Sequence, residues 1–416
     1  MIPTDRAHRN KGVRRSVAQL LLAACAIAAC KQSPRPSEAP AVAVPAPGSP
    51  RRAIAVVAGA HHTCALVSDG AVRCWGWGAD GRLGSASVAN IGDPSTPRSG
   101  QDVRVGGKVV SLAAGEAHTC ALMATGAVRC WGDGAFGQLG YTTRDDVGDN
   151  EDPSSVGDVA LPEKATAIAA GDRHSCALLA SGAVQCWGNN DFEQLGAQPQ
   201  TFERPVVALA TYRASTCVVL DGGVVRCWGA AAGGWGKETL DVDMGTPARG
   251  LAPGPGYGRS CAITSIDAVR CWGIALTNLA ELGFPKELAV APLPETGHPT
   301  VAQVGDLPAT ASVTKIALSE HNACILAFDG SVACWGDNAD IVGDSWLLGD
   351  TIAEQVVLGT KAIDLAMGAD HVCVLLDSGG IRCWGRGAGG VLGLGNADDV
   401  GPPRSRSEER REGKSV

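Results

Sequence analysis

Sixteen cysteines and eight histidines are the residues of this 416-residue chain best suited to chemistry. Fourteen of the cysteines form seven pairs, each ten residues apart. These are Cys64 with Cys74, Cys120 with Cys130, Cys176 with Cys186, Cys217 with Cys227, Cys261 with Cys271, Cys324 with Cys334, and Cys373 with Cys383. Thiols at fixed spacing suit metal binding or redox exchange in a reducing compartment and disulfides in an exported chain. His62, His118, His174, His321 and His371 stand two or three residues before a cysteine. Each such pair offers only two ligands, whereas structural zinc takes four. Their recurrence in separate units reads better as structural, and no metal site is assigned. Gly76-x-Gly78-x-x-Gly81, Gly132-x-Gly134-x-x-Gly137 and Gly385-x-Gly387-x-x-Gly390 match a dinucleotide fingerprint. That fingerprint works only between a strand and a helix of a βαβ unit. Here Leu-Gly and loop sequence follow, so no cofactor is expected. Gly413-Lys414-Ser415 echoes a phosphate-binding loop, but Glu408 stands where that loop needs glycine.

Acidic residues cluster at Asp145, Asp146, Asp149, Glu151 and Asp152. An oxygen-rich loop could hold calcium. Similar elements at Ile91-Gly92-Asp93 and Asp399-Val400-Gly401 point instead to a repeated turn. Neither G-x-S-x-G nor H-E-x-x-H occurs. No catalytic residues are assigned, and the chain is read as a non-enzyme. The enzymatic alternative is a hydrolase or lyase using acidic residues in a central channel.

The elements that position these residues repeat. Each second cysteine precedes Trp-Gly, at Trp75, Trp131, Trp187, Trp228, Trp272, Trp335 and Trp384. Successive first cysteines lie 56, 56, 41, 44, 63 and 49 residues apart, so the hairpin is fixed while its connections vary. In the first repeat AIAVVAG, HTCALV and AVRCW read as strands, Ser68-Asp69-Gly70 as a turn, and a stretch such as Asp102 to Val105 as a fourth strand. A three-residue turn sets Leu66 opposite Val72 and Cys64 opposite Cys74. Facing residues at a non-hydrogen-bonded site have Cα atoms roughly 4.5–5.5 Å apart, within disulfide reach. All fourteen cysteines are therefore expected in hairpin disulfides. The period of two turns each Trp to the face opposite its neighbouring cysteine. Four short strands recurring seven times indicate an all-β, seven-bladed β-propeller spanning residues 53–402.

The pattern Ala-Gly-x-x-His-[ST]-Cys-Ala-Leu, turn, Gly-x-Val-x-Cys-Trp-Gly-x-Gly-x-x-Gly-x-Leu-Gly resembles the RCC1 (regulator of chromosome condensation) repeat family, in the cysteine-containing form of exported bacterial proteins. The resemblance is most specific in repeats one, two, three and seven. Repeat four (ATYRASTC) lacks its Gly and His, repeat five is also degenerate, and repeat six shifts its His to His321. The resemblance implies the propeller and a binding surface. It also offers guanine-nucleotide exchange, by analogy only, as a further alternative.

Export is read from the N-terminus. Arg6, Arg9, Lys11, Arg14 and Arg15 precede an apolar stretch, Val17 to Ala29, of signal-peptide size, ending Ile27-Ala28-Ala29-Cys30. This is similar to a lipobox with Cys30 as the lipid attachment site. Cys25 also fits, but leaves a shorter apolar region. Residues 1–29 are thus a lipoprotein signal peptide and 30–52 a Pro-rich tether. Removing residues 1–29, with five Lys/Arg and one Asp, takes the formal charge from −8 to −12, which disfavours nucleic acid. Residues 403–416 form a charged tail unlike the rest, resembling translated adapter sequence. The reading is a monomeric, membrane-anchored scaffold in the outer membrane, periplasm or cell surface. It binds a protein or cell-envelope ligand through loops such as 141–160, 275–312 and 337–360. A purely structural envelope component is the other alternative.

Overall fold

The computed structural model describes residues 51–95, 101–230, 239–252, 259–273, 302–303, 312–319, 322–336, 341 and 354–403. Cys25, Cys30, His321, the signal peptide, the tether up to residue 50, the tail from 404, and most of 275–312 and 337–353 lie outside them.

Seven antiparallel sheets follow one another along the chain. Blade 1 is β1 (Ala53–Ala58), β2 (His62–Val67) and β3 (Val72–Gly76). Blade 2 is β4 (Val109–Ala114), β5 (His118–Met123) and β6 (Val128–Gly132). Blade 3 is β7 (Ala165–Ala170), β8 (His174–Leu179) and β9 (Val184–Gly188). Blade 4 has four strands, β10 (Val206–Thr211), β11 (Ser215–Leu220), β12 (Val225–Gly229) and β13 (Leu240–Val242). Blade 5 has β14 (Ala248–Leu251), β15 (Arg259–Thr264), β16 (Val269–Gly273) and β17 (Ala302–Gln303). Blade 6 has β18 (Val313–Leu318), β19 (Asn322–Ala327), β20 (Val332–Gly336) and β21 (Glu354–Val356). Blade 7 is β22 (Ala362–Met367), β23 (His371–Leu376) and β24 (Ile381–Gly385).

First strands touch from blade to blade, blades 5 and 6 meet through β15 and β18, and β22 touches β1, so the ring closes into a seven-bladed propeller. Middle strands such as HTCALV are buried at every position because both faces of each blade pack against neighbours. Their residues are mostly apolar, with buried small polar groups and the histidines that begin four of these strands.

The hairpin register is the one the spacing sets: Leu66 pairs with Val72 and Cys64 with Cys74. The Val67 amide donates to the Ala71 carbonyl at 2.8 Å, and alternation from there leaves Cys64 and Cys74 at a non-hydrogen-bonded site. The other six hairpins keep this register. Cys120 faces Cys130, Cys176 faces Cys186, and Cys217 faces Cys227. Cys261 faces Cys271, Cys324 faces Cys334, and Cys373 faces Cys383. Each of the seven facing pairs is joined by a disulfide. Their Cα separations are 4.0–4.1 Å, a correction to the wider spacing expected for unlinked strands, because the bond draws the two backbones together.

The expected fourth strand is corrected in part. Among the described residues, blades 1, 2, 3 and 7 hold three regular strands. In blades 1 and 2 the segment after the third strand makes one ladder bond, Val103 to the Val72 carbonyl and Val159 to the Val128 carbonyl, each 2.8 Å. Residues 53–58 are the inner strand of blade 1 and do not complete blade 7.

Candidate binding face

The recurring pattern of the repeat builds the interfaces between blades. His62, His118, His174 and His371 begin their middle strands and are fully buried. Each ring Nε2 meets a hydroxyl of the next blade: His62 to Thr119 and His118 to Ser175 at 2.8 Å, His174 to Thr216 at 3.0 Å, and His371 to Thr63 at 2.8 Å across the closure of the ring. Ser175 and Thr216 donate onward to the Gln138 and Gln194 carbonyls at 2.9 Å. A hydroxyl that gives its proton away must accept from the imidazole, so His118 and His174 carry their proton on Nε2. Trp187 Nε1 donates to that same Gln138 carbonyl at 2.9 Å, and Trp131 to the Arg82 carbonyl at 3.1 Å. Cys64 Sγ lies toward blade 2, near Thr119, whereas Trp75 Nε1 reaches the Val391 carbonyl of blade 7 at 2.9 Å. The two side chains thus take opposite faces.

Burial, the largest influence, pushes His118, His174 and His371 down to about 3, and His62 well below its usual range. All four are neutral at physiological pH. Each adjacent cysteine is in a disulfide and has no thiolate to offer a metal. The glycine three residues before each His is sterically required. A Cβ on Gly59 would stand 2.1 Å from the His62 ring and 2.4 Å from the Gly115 carbonyl.

Blade 4, degenerate in sequence, is compensated. Tyr212 occupies the glycine position and Ser215 the histidine position. Tyr212 is fully buried, and its hydroxyl reaches the Cys261 carbonyl of blade 5 at 3.5 Å, restoring a link between blades. Burial raises its phenol above the ordinary value. In blade 6 Asn322 takes the histidine position, pairing with Gly336 as His62 pairs with Gly76.

The other singled-out motifs also resolve into architecture. The Gly78, Gly134 and Gly387 amides donate to Asn90, Asp146 and Asp399 side chains at 2.8–3.0 Å. A Cβ on Gly78 would lie 2.0 Å from the Ala89 carbonyl. The glycine fingerprint is therefore a close backbone approach, and the acidic elements form a repeated turn. The acidic loop borders a groove of about 840 Å³. Within it the Gly148 amide donates to Glu151 at 2.9 Å, and burial raises the Asp146 carboxyl.

First strands line a central cavity of about 200 Å³ whose wall is apolar apart from Lys315. Lys315 pairs with Asp364 at 2.5 Å, and Asp364 also accepts the Val56 amide at 2.9 Å, tying blades 6, 7 and 1 together. Convergent carboxylates do not line this cavity among the described residues.

One rim carries exposed aromatic and charged side chains. At that end of the blades, loop amides link the turns around the channel: Ala369 to the Ala60 carbonyl (3.0 Å), Ala60 to Glu116 (3.2 Å) and Glu116 to Asp172 (3.3 Å). The loops after the third strands lie beside these turns, since the Trp77 amide donates to the His61 carbonyl at 2.9 Å and Asn189 to Arg173 at 2.8 Å. Trp77 stacks on His61 with centroids 4.6 Å apart, Arg173 covers the Phe136 ring at 4.6 Å, and Phe192 is 38% exposed. Arg173 also pairs with Glu116 at 3.3 Å and Arg213 with Asp172 at 3.6 Å. Burial lowers the His61 imidazole, with help from Arg82. Aromatic and arginine side chains are residue types enriched in protein-contact surfaces.

The class is thus an all-β repeat propeller, latched internally and presenting one aromatic rim. Within it, the chain carries RCC1 repeats. The regulator of chromosome condensation (RCC1) repeat profiles match residues 53–82, 109–138, 165–194 and 362–390 in one form, and 69–122 and 125–178 in another. The ultraviolet-B receptor UVR8 of Arabidopsis thaliana is 36% identical over 148 residues, 35% of this chain and 32% of the receptor. The human E3 ubiquitin-protein ligase HERC2 is 32% identical over 144 residues, 34% of this chain and 3% of the ligase. The chain thus spans a third or less of these relatives. In fold it is similar to yeast RCC1 (Prp20) bound to Kap60, with a TM-score of 0.64 at 20% identity over 96% of this chain and 92% of that one. Human WBSCR16 gives 0.63 at 18% identity, over 79% and 92%.

The sequence pattern points to the histidines but not to their hydroxyl partners, although the Ser/Thr between His and Cys belongs to that pattern. It gives no sign of the Lys315–Asp364 pair, which only the ring closure brings together.

Proposed function

We propose that this chain is an exported, membrane-anchored scaffold whose propeller binds a protein or cell-envelope ligand. In this reading residues 1–29 are a lipoprotein signal peptide, Cys30 carries the lipid, 30–52 are a tether, 53–402 are the propeller and 403–416 are a tail outside the fold. The observation that carries the binding role is the rim of Trp77/His61, Phe136/Arg173 and Phe192 on blades fixed to one another by buried latches. A prearranged surface loses little entropy on association. Seven disulfides favour an oxidising compartment, in agreement with export. Prp20p, of like fold, is described as binding Gsp1p and histones, which makes protein binding a use of this architecture. The acidic charge speaks against nucleic acid, and the chain acts as a monomer.

Two measurements test the reading. Affinity capture from native envelopes by the full chain should recover a partner that Trp77→Ala with Phe192→Ala loses. Metabolic fatty-acid labelling should be abolished by Cys30→Ser. Equal capture by wild type and the double variant would refute the rim; labelling that survives Cys30→Ser would refute the anchor site.

A further inference from the structure

Five Asp-Gly sequences occur in the chain: Asp69-Gly70, Asp80-Gly81, Asp133-Gly134, Asp221-Gly222 and Asp329-Gly330. Such a pair is open to a reaction within itself, because glycine puts no side chain in the way as its amide nitrogen closes on the aspartate Cγ. The closure needs that amide unengaged, the carboxyl able to take a proton, and a backbone able to bend into the ring.

Four of the five sites are blocked. Their glycines are buried. The Gly70 amide donates to the Val67 carbonyl at 2.8 Å, Gly81 to Gly78 at 3.2 Å and Gly330 to Ala327 at 3.0 Å, while Gly134 donates to the Asp146 carboxylate at 2.9 Å. Their carboxylates are engaged as well. Asp69 accepts the Ala71 amide at 3.0 Å and pairs with Arg51, and Asp80 pairs with Arg82. Asp133 accepts the Ala135 amide at 2.9 Å, and Asp329 accepts the Ser331 amide and hydroxyl at 2.9 and 2.6 Å. The bonds from Ala71 and Ser331 hold Asp69 and Asp329 below the usual carboxyl range, away from the protonated form.

Asp221-Gly222 differs on each count. Its aspartate stands one place earlier in the hairpin turn than Asp69 does, so the closing bond falls to Gly223, whose amide donates to the Leu220 carbonyl at 2.8 Å. Among the described residues the Gly222 amide has no acceptor and the Asp221 carboxylate no donor. Both residues are exposed. A Cβ on Gly222 would meet only Arg204 Nη1, at 2.9 Å. Two successive glycines at positive φ give this turn tip the conformational freedom that closure needs. Arg204 Nη1 also donates to the Asp221 carbonyl at 3.1 Å. A cation there draws charge from the peptide bond and favours the deprotonated, nucleophilic form of the Gly222 nitrogen.

We propose that Asp221 is a site of spontaneous isoaspartate formation in the folded protein. The Gly222 nitrogen bonds to Asp221 Cγ, its hydrogen and the carboxyl hydroxyl leave as water, and a succinimide ring forms. Water then adds to one of the two ring carbonyls and breaks the bond from that carbon to nitrogen. Opening at Cγ restores aspartate. Opening at the α-carbonyl, the one Arg204 polarises, routes the backbone through Cβ and leaves an α-carboxylate beside that guanidinium. The water lost is regained, so the mass is unchanged. The Cys217–Cys227 disulfide keeps the hairpin in register behind the turn, so a folded blade carries the longer linkage. This chemistry is independent of what the propeller binds.

The test incubates the full oxidised chain at neutral pH and body temperature for several weeks. Isoaspartate is located by electron-transfer fragmentation of its peptides and by methyl transfer from an isoaspartyl methyltransferase. Position 221 should exceed each of the other four at least tenfold, and a succinimide lighter by one water should precede it. In urea, with the disulfides reduced, the five sites should come within about threefold of one another. Asp221→Glu, an exposed change, should remove the signal, because closure would then need a six-membered ring. Arg204→Gln should slow accumulation at least threefold. Absence of isoaspartate at 221, or equal accumulation at another Asp-Gly of the folded chain, overturns the proposal. A preference for 221 that persists in urea also overturns it, since the turn would then not be the cause. Unchanged accumulation in Arg204→Gln overturns the role given to that guanidinium.

Discussion

Acidification should loosen the propeller through its histidine latches. His118, His174 and His371 are held down to about 3 when folded, chiefly by burial, against about 6.5 in the unfolded chain. A folded value below the unfolded one means stability is complete above pH 6.5 and is lost as pH falls toward 3, because the unfolded chain binds the protons. Between pH 7 and 5 each imidazole removes about 2 kcal/mol, so these three remove about 6 kcal/mol. At pH 5 the sum hardly depends on the folded values, provided they stay below about 4. His62 acts in the same direction. For a domain of this size roughly 1–2 °C of Tm accompanies each kcal/mol, which gives a fall of about 6–12 °C. Scanning calorimetry of the oxidised protein at several pH values would measure it. His118→Asn, which copies Asn322 of blade 6, should remove one imidazole's share of the pH dependence, about 1 kcal/mol per pH unit averaged between pH 7 and 5. An unchanged Tm between pH 7 and 5, or an unchanged slope in the variant, would refute the latch as described.

Other outcomes follow from single contacts. Tyr212→Ala should cost about 3–5 kcal/mol in denaturant unfolding, since it empties a fully buried volume and cuts the link to blade 5. Asp364→Ala should cost about 1–3 kcal/mol by leaving the partly exposed Lys315 and the Val56 amide without their acceptor, and Lys315→Met should recover part of that in the double variant. Replacing Cys120 and Cys130 together by serine should cost about 2–3 kcal/mol, as expected for a short closed loop, without changing the fold by circular dichroism.

The blade is legible in sequence because its determinants are local. A ten-residue cysteine spacing with a three-residue turn fixes hairpin register, and period-two alternation then assigns Trp and Cys to opposite faces. The ring count comes from repetition alone. What is illegible depends on residues far apart. The hydroxyl partner of His371 is Thr63, 308 positions away, and no local pattern pairs Lys315 with Asp364. The fourth strand is weaker in the early blades than its Asp-Val pattern suggests, since the structure gives that segment one ladder bond. Blade 4 reads as decayed because its motif residues are gone. Loss of Gly at 212 and of His at 215 is one coupled change, since a small Ser beside a large Tyr fills the place of a large His beside a Gly.

Disulfide mapping of the native protein tests the central claim, an exported propeller stapled within each hairpin, most directly. Peptides from unreduced protein isolated from the envelope should show 64–74, 120–130, 176–186, 217–227, 261–271, 324–334 and 373–383, with no free thiol in the propeller. Linkages between blades, or a set of reduced cysteines, would contradict it.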